Sequence, residues 1–141
     1  MTSAKLEVIY WDTSAILSVL FVDRHSDTAR KWVRKDGFHL ISTLAYAETC
    51  AVIARMKREK HLTEPLVKAA FETLEQGPWR HLNAWPERKT TQTLSMKWSL
   101  RGADLWHLAT AKDLQTQLAE LYLLTFDTTL RKAAKGEGLG G

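Results

Sequence analysis

A strand that runs straight into a helix constrains this chain most. Val8-Ile9-Tyr10-Trp11 is a β-branched and aromatic run too short for a helix. Asp12 breaks it. Thr13-Ser14 then open a helix that is apolar on every side, through Ala15, Ile16, Leu17, Val19, Leu20, Phe21 and Val22. Such a passage belongs to a βαβ unit, in which the helix covers one face of a parallel sheet. Ligands of open parallel sheets sit off the carboxyl ends of the strands, where Asp12 would stand. The same residue, or Ser14, also reads as a plain helix cap. The rest of the chain has to decide.

Amphipathic patterns and stop signals place further helices over Thr28 to Lys35, Ser42 or Thr43 to about Lys60, and Thr63 to the Gly77-Pro78 break. Others are expected from Pro86 through Trp98, from Ala103 to about Gln117 and from Thr128 to Ala134. Strands are expected at Phe38 to Ile41, His81 to Trp85 and Leu121 to Phe126. The order β-α-α-β-α-α-β-α-α-β-α defines an α/β fold. It is a single domain with a central parallel sheet of four or five strands sandwiched by about seven helices. A chain of 141 residues suits one domain with one core. The domain is expected over residues 1–135, followed by a flexible Gly-rich tail over 136–141.

Several function classes drop out. Cys50 is the only cysteine, so no internal disulfide forms, and a reduced, cytoplasmic setting is expected. No run approaches the roughly 18–20 apolar residues of a membrane span, and the N-terminus lacks a secretory pattern. No glycine-rich phosphate loop occurs, and Ser14 and Ser42 lack a triad context. The segment Asp12-Thr13-Ser14 lacks the second aspartate of a haloacid-dehalogenase-like phosphatase. The five histidines show no metal spacing; His107, one turn from Asp104, reads first as a helix-face residue with a hydrogen-bond partner. The net charge of +4 suits a polyanion without requiring one. The basic runs Arg30 to Lys35 and Arg55 to Lys60 either track a nucleic-acid backbone or are solvated helix faces.

Four acids remain. Asp12 and Asp127 each end a strand and precede a helix; Asp104 lies in a first turn, where the helix dipole favours it. Glu48 lies mid-helix, with Leu44, Ala45, Ala51 and Val52 one turn away on either side. A carboxylate in a core-facing apolar stripe costs several kcal/mol, in order of magnitude, unless compensated. A buried ion pair, or a helix rotated to put Glu48 at the boundary, would also account for it. If the acids cluster, they repel and require a cation. Oxygen-only ligands select Mg²⁺ or Mn²⁺, and such ions with basic helices point to a phosphodiester substrate.

The segments Asp12 to Leu17, Ala47-Glu48, Arg101 to Ala111 and Leu124 to Leu130, in this order, resemble the PIN domain. Within that family the chain is most similar to the VapC-type toxin ribonucleases of toxin–antitoxin pairs, over about residues 7 to 134. The resemblance implies an Mg²⁺- or Mn²⁺-dependent endoribonuclease whose catalytic and metal-holding acids are Asp12, Glu48, Asp104 and Asp127. Thr13 or Ser14, and Thr125, match small polar positions beside the site; all three, with Arg101 and Arg131, are the expected substrate contacts. It also implies an RNA substrate, a homodimer, and a cognate antitoxin lying in a groove by the first helices. Ile16, Leu20, Phe21 and Trp32 either line that groove or fill the core. Trp11 and Trp106, each beside a proposed acid, are candidate base-stacking residues. A non-catalytic PIN-like module that binds RNA or protein, and a housekeeping RNA-processing nuclease, are the alternatives. The family often adds a short edge strand after the last helix, which the glycine-rich end here does not suggest.

Overall fold

The computed structural model describes residues 6–140. Its strands are β1 (Glu7–Trp11), β2 (Gly37–Ser42), β3 (Trp79–Leu82) and β4 (Leu121–Leu124). Its helices are α1 (Thr13–Leu20), α2 (Ser26–Val33), α3 (Thr43–Arg58), α4 (Glu64–Gln76), α5 (Arg88–Lys97), α6 (Gly102–Gln115) and α7 (Thr128–Gly136). All pairings are parallel, in the order β3-β2-β1-β4. The α/β architecture read from the sequence is borne out, with four strands among the described residues. β3 runs from Trp79 to Leu82 rather than from His81 to Trp85: Trp79 opens the pairing with β2 opposite His39 and packs edge-on against Trp11, with ring centroids 5.8 Å apart.

β1 is interior, and its side chains alternate between the two faces of the sheet. Ile9 and Trp11 pack with Ala15, Ile16, Ala29, Ala45 and Leu74 on the face covered by α1 to α4. Val8 and Tyr10 pack with Leu108, Ala109, Leu130 and Ala133 on the face covered by α6 and α7. Trp11 is therefore fully buried and unavailable to a base, and Ile16 belongs to the core rather than to a groove. Trp32 is stacked on Tyr122, with centroids 4.6 Å apart. β2 must start on glycine: Gly37 has φ +152°, and a Cβ there would lie 2.1 Å from the Glu7 carbonyl oxygen.

The expected loose tail is corrected as far as Gly140; residues 1–5 and 141 lie outside the described residues. Leu139 is fully buried, which glycine-rich composition concealed. Its N–H donates to the Ala134 carbonyl at 2.8 Å, and its carbonyl accepts from Leu123 N–H at 2.6 Å. That second bond satisfies one donor on the outer edge of β4, where a further strand would pair. Glu137, with a side chain only 6% exposed, pairs with Lys97 at 2.7 Å and accepts from Trp98 Nε1 at 2.8 Å. Lys112 Nζ donates to its carbonyl at 2.8 Å.

The register places the site. Trp11 pairs with Ile41 on one side and Leu124 on the other. Asp12, Ser42 and Thr125 therefore follow in one row at the carboxyl edge.

Candidate active site

Asp12 both caps α1 and faces this edge. Its Oδ1 accepts from Ala15 N–H at 2.9 Å and from Ser14 Oγ at 2.7 Å. Its Oδ2 accepts from Thr125 Oγ1. The residue is 3% exposed, and burial pushes its carboxyl above the ordinary range, against the hydrogen bonds from Thr125, Ala15 and Ser14. Ser14 Oγ also accepts from Phe126 N–H at 3.0 Å, and Thr125 Oγ1 from Asp127 N–H at 3.1 Å. These two hydroxyls tie the start of α1 to the β4–α7 connection. Ser14 and Thr125, the expected substrate contacts, both hold the Asp12 carboxylate, and Ser14 also lines the pocket.

Asp127 caps α7: its Oδ1 accepts from Leu130 N–H at 2.9 Å. Asp104 lies half-buried in the first turn of α6. Burial, then the Asp127 charge, raise its carboxyl above the usual range. Glu48 sits on α3, whose buried stripe is Ala45, Thr49 and Ile53. Its apolar neighbours mislead: Ala51 is exposed, and the Glu48 side chain keeps 34% of its surface open. Glu48 therefore stands at the boundary and looks across the sheet edge. Thr13 Oγ1 donates to its Oε1 at 2.7 Å, and His107 Nε2 lies 3.2 Å from the same atom. The His107 hydrogen bond, then the one from Thr13, hold the Glu48 carboxyl below its ordinary value despite partial burial.

The four acids line one pocket of about 240 Å³ together with Thr13, Ser14, Arg101 and His107. Arg131 does not join them; it lines a separate small pocket with Trp32 and Tyr122. In the basic runs Arg30 pairs with Asp27 at 3.7 Å, Lys35 with Glu7 at 3.3 Å and Lys57 with Glu64 at 2.8 Å. A larger hollow, about 940 Å³ along Ala54, Val67 and Phe71 on α3 and α4, does not contain the four acids. His107 is the site residue that the sequence undervalued. Its only local signal was its place one turn after Asp104; its partners Tyr10 and Glu48 are 97 and 59 residues away.

Among the described residues, no three acid, histidine or cysteine side chains form a ready-made coordination shell. The chemistry of the donors nonetheless fits a hard divalent cation. Four carboxylates share a pocket, one of them is raised by another's charge, and no hydrogen bond is made to Asp127 Oδ2 or to Glu48 Oε2 among the described residues. Mg²⁺ commonly keeps several waters and takes only one or two carboxylates directly, so a preformed cage is not required.

A parallel α/β sheet with an acid pocket at its carboxyl edge defines the class. The sequence matches the PIN domain family over residues 9–136, and the chain belongs to that family. Its fold is similar to that of VapC20 from Mycobacterium tuberculosis, a toxin described as cleaving the sarcin–ricin loop. The TM-score is 0.61 at 16% identity, covering 89% of this chain and 94% of that one. It is also similar to FitAcB from Neisseria gonorrhoeae, with a TM-score of 0.62 at 20% identity, covering 91% and 94%. No curated protein matches by sequence.

Proposed function

We propose that this protein is a metal-dependent endoribonuclease toxin that hydrolyses RNA phosphodiester bonds and is neutralised by a cognate antitoxin. The observation that carries the reading is the convergence of Asp12, Glu48, Asp104 and Asp127, from four separate segments, on one pocket. Their mutual repulsion calls for a bound cation, and oxygen-only donors suit Mg²⁺ or Mn²⁺. The fold shared with VapC20 supports RNA as the substrate class.

In this reading Asp12, Glu48, Asp104 and Asp127 hold the ion. When bound, a divalent cation polarises the phosphate and makes an attacking water more acidic. Ser14, Thr125 and the Ala15 N–H fix both oxygens of Asp12, so that carboxylate does not reorganise during the reaction. Arg101, exposed on the pocket rim, offers a planar donor fork to a phosphate. Cleavage of structured RNA by the purified protein in Mg²⁺ or Mn²⁺ is the test. EDTA is expected to abolish cutting, and excess Mn²⁺ to restore it. Undiminished cutting in EDTA would sink the metal mechanism. Binding of RNA without cutting, in any metal, would favour the non-catalytic alternative, and the absence of growth arrest on expression would favour a housekeeping nuclease.

The antitoxin surface in this reading is the apolar groove of about 260 Å³ lined by Leu20, Phe21, Val22, Leu62, Leu66 and Ala69. Val22 and Leu66 are 87% and 54% exposed. Of the four groove residues expected, Leu20 and Phe21 line it; Ile16 is in the core, and Trp32 is half-buried beside Tyr122 at a separate pocket. α1 leads from this groove to the acids over eight residues, about 12 Å at 1.5 Å per residue. A charge placed there, as in Leu66→Glu, is expected to leave RNA cutting intact. Growth arrest by this variant should no longer be relieved by co-expression of an antitoxin that relieves arrest by the wild type. Full relief would move the antitoxin elsewhere. A homodimer and a cytoplasmic setting belong to the same proposal. No helix among the described residues is long and apolar enough to cross a membrane.

A further inference from the structure

His107 is 1% exposed, yet one of its atoms reaches the acid pocket. Nε2 lies 3.2 Å from Glu48 Oε1, and Nδ1 lies 2.8 Å from the hydroxyl of Tyr10, which is fully buried on β1. An ionised carboxylate only accepts, so Nε2 carries the proton. In the neutral ring Nδ1 is then the acceptor, and Tyr10 donates to it. Both ring nitrogens are thereby engaged. The ring is also wedged edge-on between Tyr10 and Trp106, with centroids 5.7 and 5.5 Å away. It has no freedom to turn.

The second donor matters as much. Thr13 Oγ1 meets the same Glu48 oxygen, Oε1, at 2.7 Å. Donors from α1 and α6 therefore converge on one oxygen of a residue on α3, while among the described residues none is aimed at Oε2. The last torsion of a glutamate is broad and nearly two-fold, so an unrestrained carboxylate exchanges its two oxygens. Two donors on Oε1 stop that exchange and leave Oε2 facing the pocket.

We propose that His107 is a positioning residue: held by Tyr10, it acts with Thr13 to pin Oε1 of Glu48 and so presents Oε2 to the divalent cation. The proposal rests on the reading of the acid pocket as a metal site. Partners that orient metal ligands are worth about 10- to 100-fold in metal affinity.

The experiment measures binding of Mn²⁺ alone to the full chain, by calorimetry and by the electron paramagnetic resonance signal of free Mn²⁺, with melting curves in parallel. His107→Leu is expected to melt cooperatively and to bind Mn²⁺ at least about tenfold more weakly. His107→Gln, whose amide N–H can reach the same oxygen, should recover most of that affinity, which a loss of packing alone would not allow. A folded His107→Leu variant that binds as tightly as wild type overturns the proposal. If the leucine variant does not fold, Thr13→Val carries the test, and unchanged affinity there overturns it equally. Asp104→Asn is the control on the underlying reading. If wild type binds no Mn²⁺, or Asp104→Asn binds as well as wild type, the metal reading falls and the positioning role with it. Weakening in Asp104→Asn but not in His107→Leu removes the positioning role alone.

Discussion

Asp104→Asn is expected to abolish RNA cutting and, without metal, to stabilise the protein. Asp104 is half-buried and shares the pocket with Asp127, and both burial and that charge raise its carboxyl. The unfolded chain therefore gives up this proton at a lower pH than the folded one. Between the two values the folded state binds more protons, so stability falls as pH rises through the carboxylate range. At neutral pH the folded protein carries that repulsion in full unless a cation offsets it. Asparagine keeps the shape and removes the charge. Because the group is partly solvated, the gain is small, about 1–2 °C in Tm. The loss of cutting is large, about a thousandfold, or roughly 4 kcal/mol of transition-state stabilisation. Mn²⁺ should raise the Tm of wild type and leave that of the variant nearly unchanged, since only a ligand that binds the folded state shifts the equilibrium. Melting with and without Mn²⁺, beside single-turnover cleavage, checks both. A variant that cuts normally, or that is strongly destabilised, would contradict the reading of Asp104 as an acid held in place for a ligand.

Leu139→Ala is expected to cost about 3 kcal/mol, the middle of the range for a fully buried leucine, and to lower Tm by roughly 10 °C. The side chain lies in the core with Leu123, Leu130 and Ala134, and its backbone satisfies the outer edge of β4. Removing the chain after Gly136 should cost more, because Glu137 also leaves Lys97, Lys112 and Trp98. The same segment has a pH signature. Burial pushes the Glu137 carboxyl up, but hydrogen bonds from Lys97 and Trp98 and the charges of Lys97 and Lys112 outweigh it, and the net direction is down. A depressed acid contributes its full stability above its unfolded value, about 4.3, and loses it as pH falls through the folded value. Glu137→Gln keeps an acceptor for Trp98 and should flatten this acid limb. Chemical denaturation between pH 3 and 7 reads both effects. A Leu139→Ala protein as stable as wild type would mean that the end of the chain does not hold the domain together.

Element type and order were legible because each strand and helix carries its own period and its own stop. Asp12 and Asp127 were legible for the same local reason: an acid that ends an apolar run and opens a helix must lie at a strand's carboxyl end. Their capping and site readings were posed as rivals, yet each residue caps a helix through Oδ1 and also lines the acid pocket; Oδ2 of Asp12 is held there by Thr125, and Oδ2 of Asp127 accepts no hydrogen bond among the described residues. Glu48 was found by an argument only half right. Apolar neighbours marked it as odd, but of these only Ala45 is buried, and the residue stands at a boundary rather than in the core.

By itself, then, the sequence determined the α/β alternation, the parallel sheet and the four acids, because those depend on residues near one another in the chain. The tertiary structure alone decided the rest. It turned Arg131 away from the pocket, buried Trp11, folded the glycine-rich end around Leu139, and set His107 between Tyr10 and Glu48. Each of these depends on how helices far apart in sequence cross over the sheet, and no local periodicity encodes a contact made across 59 or 97 residues.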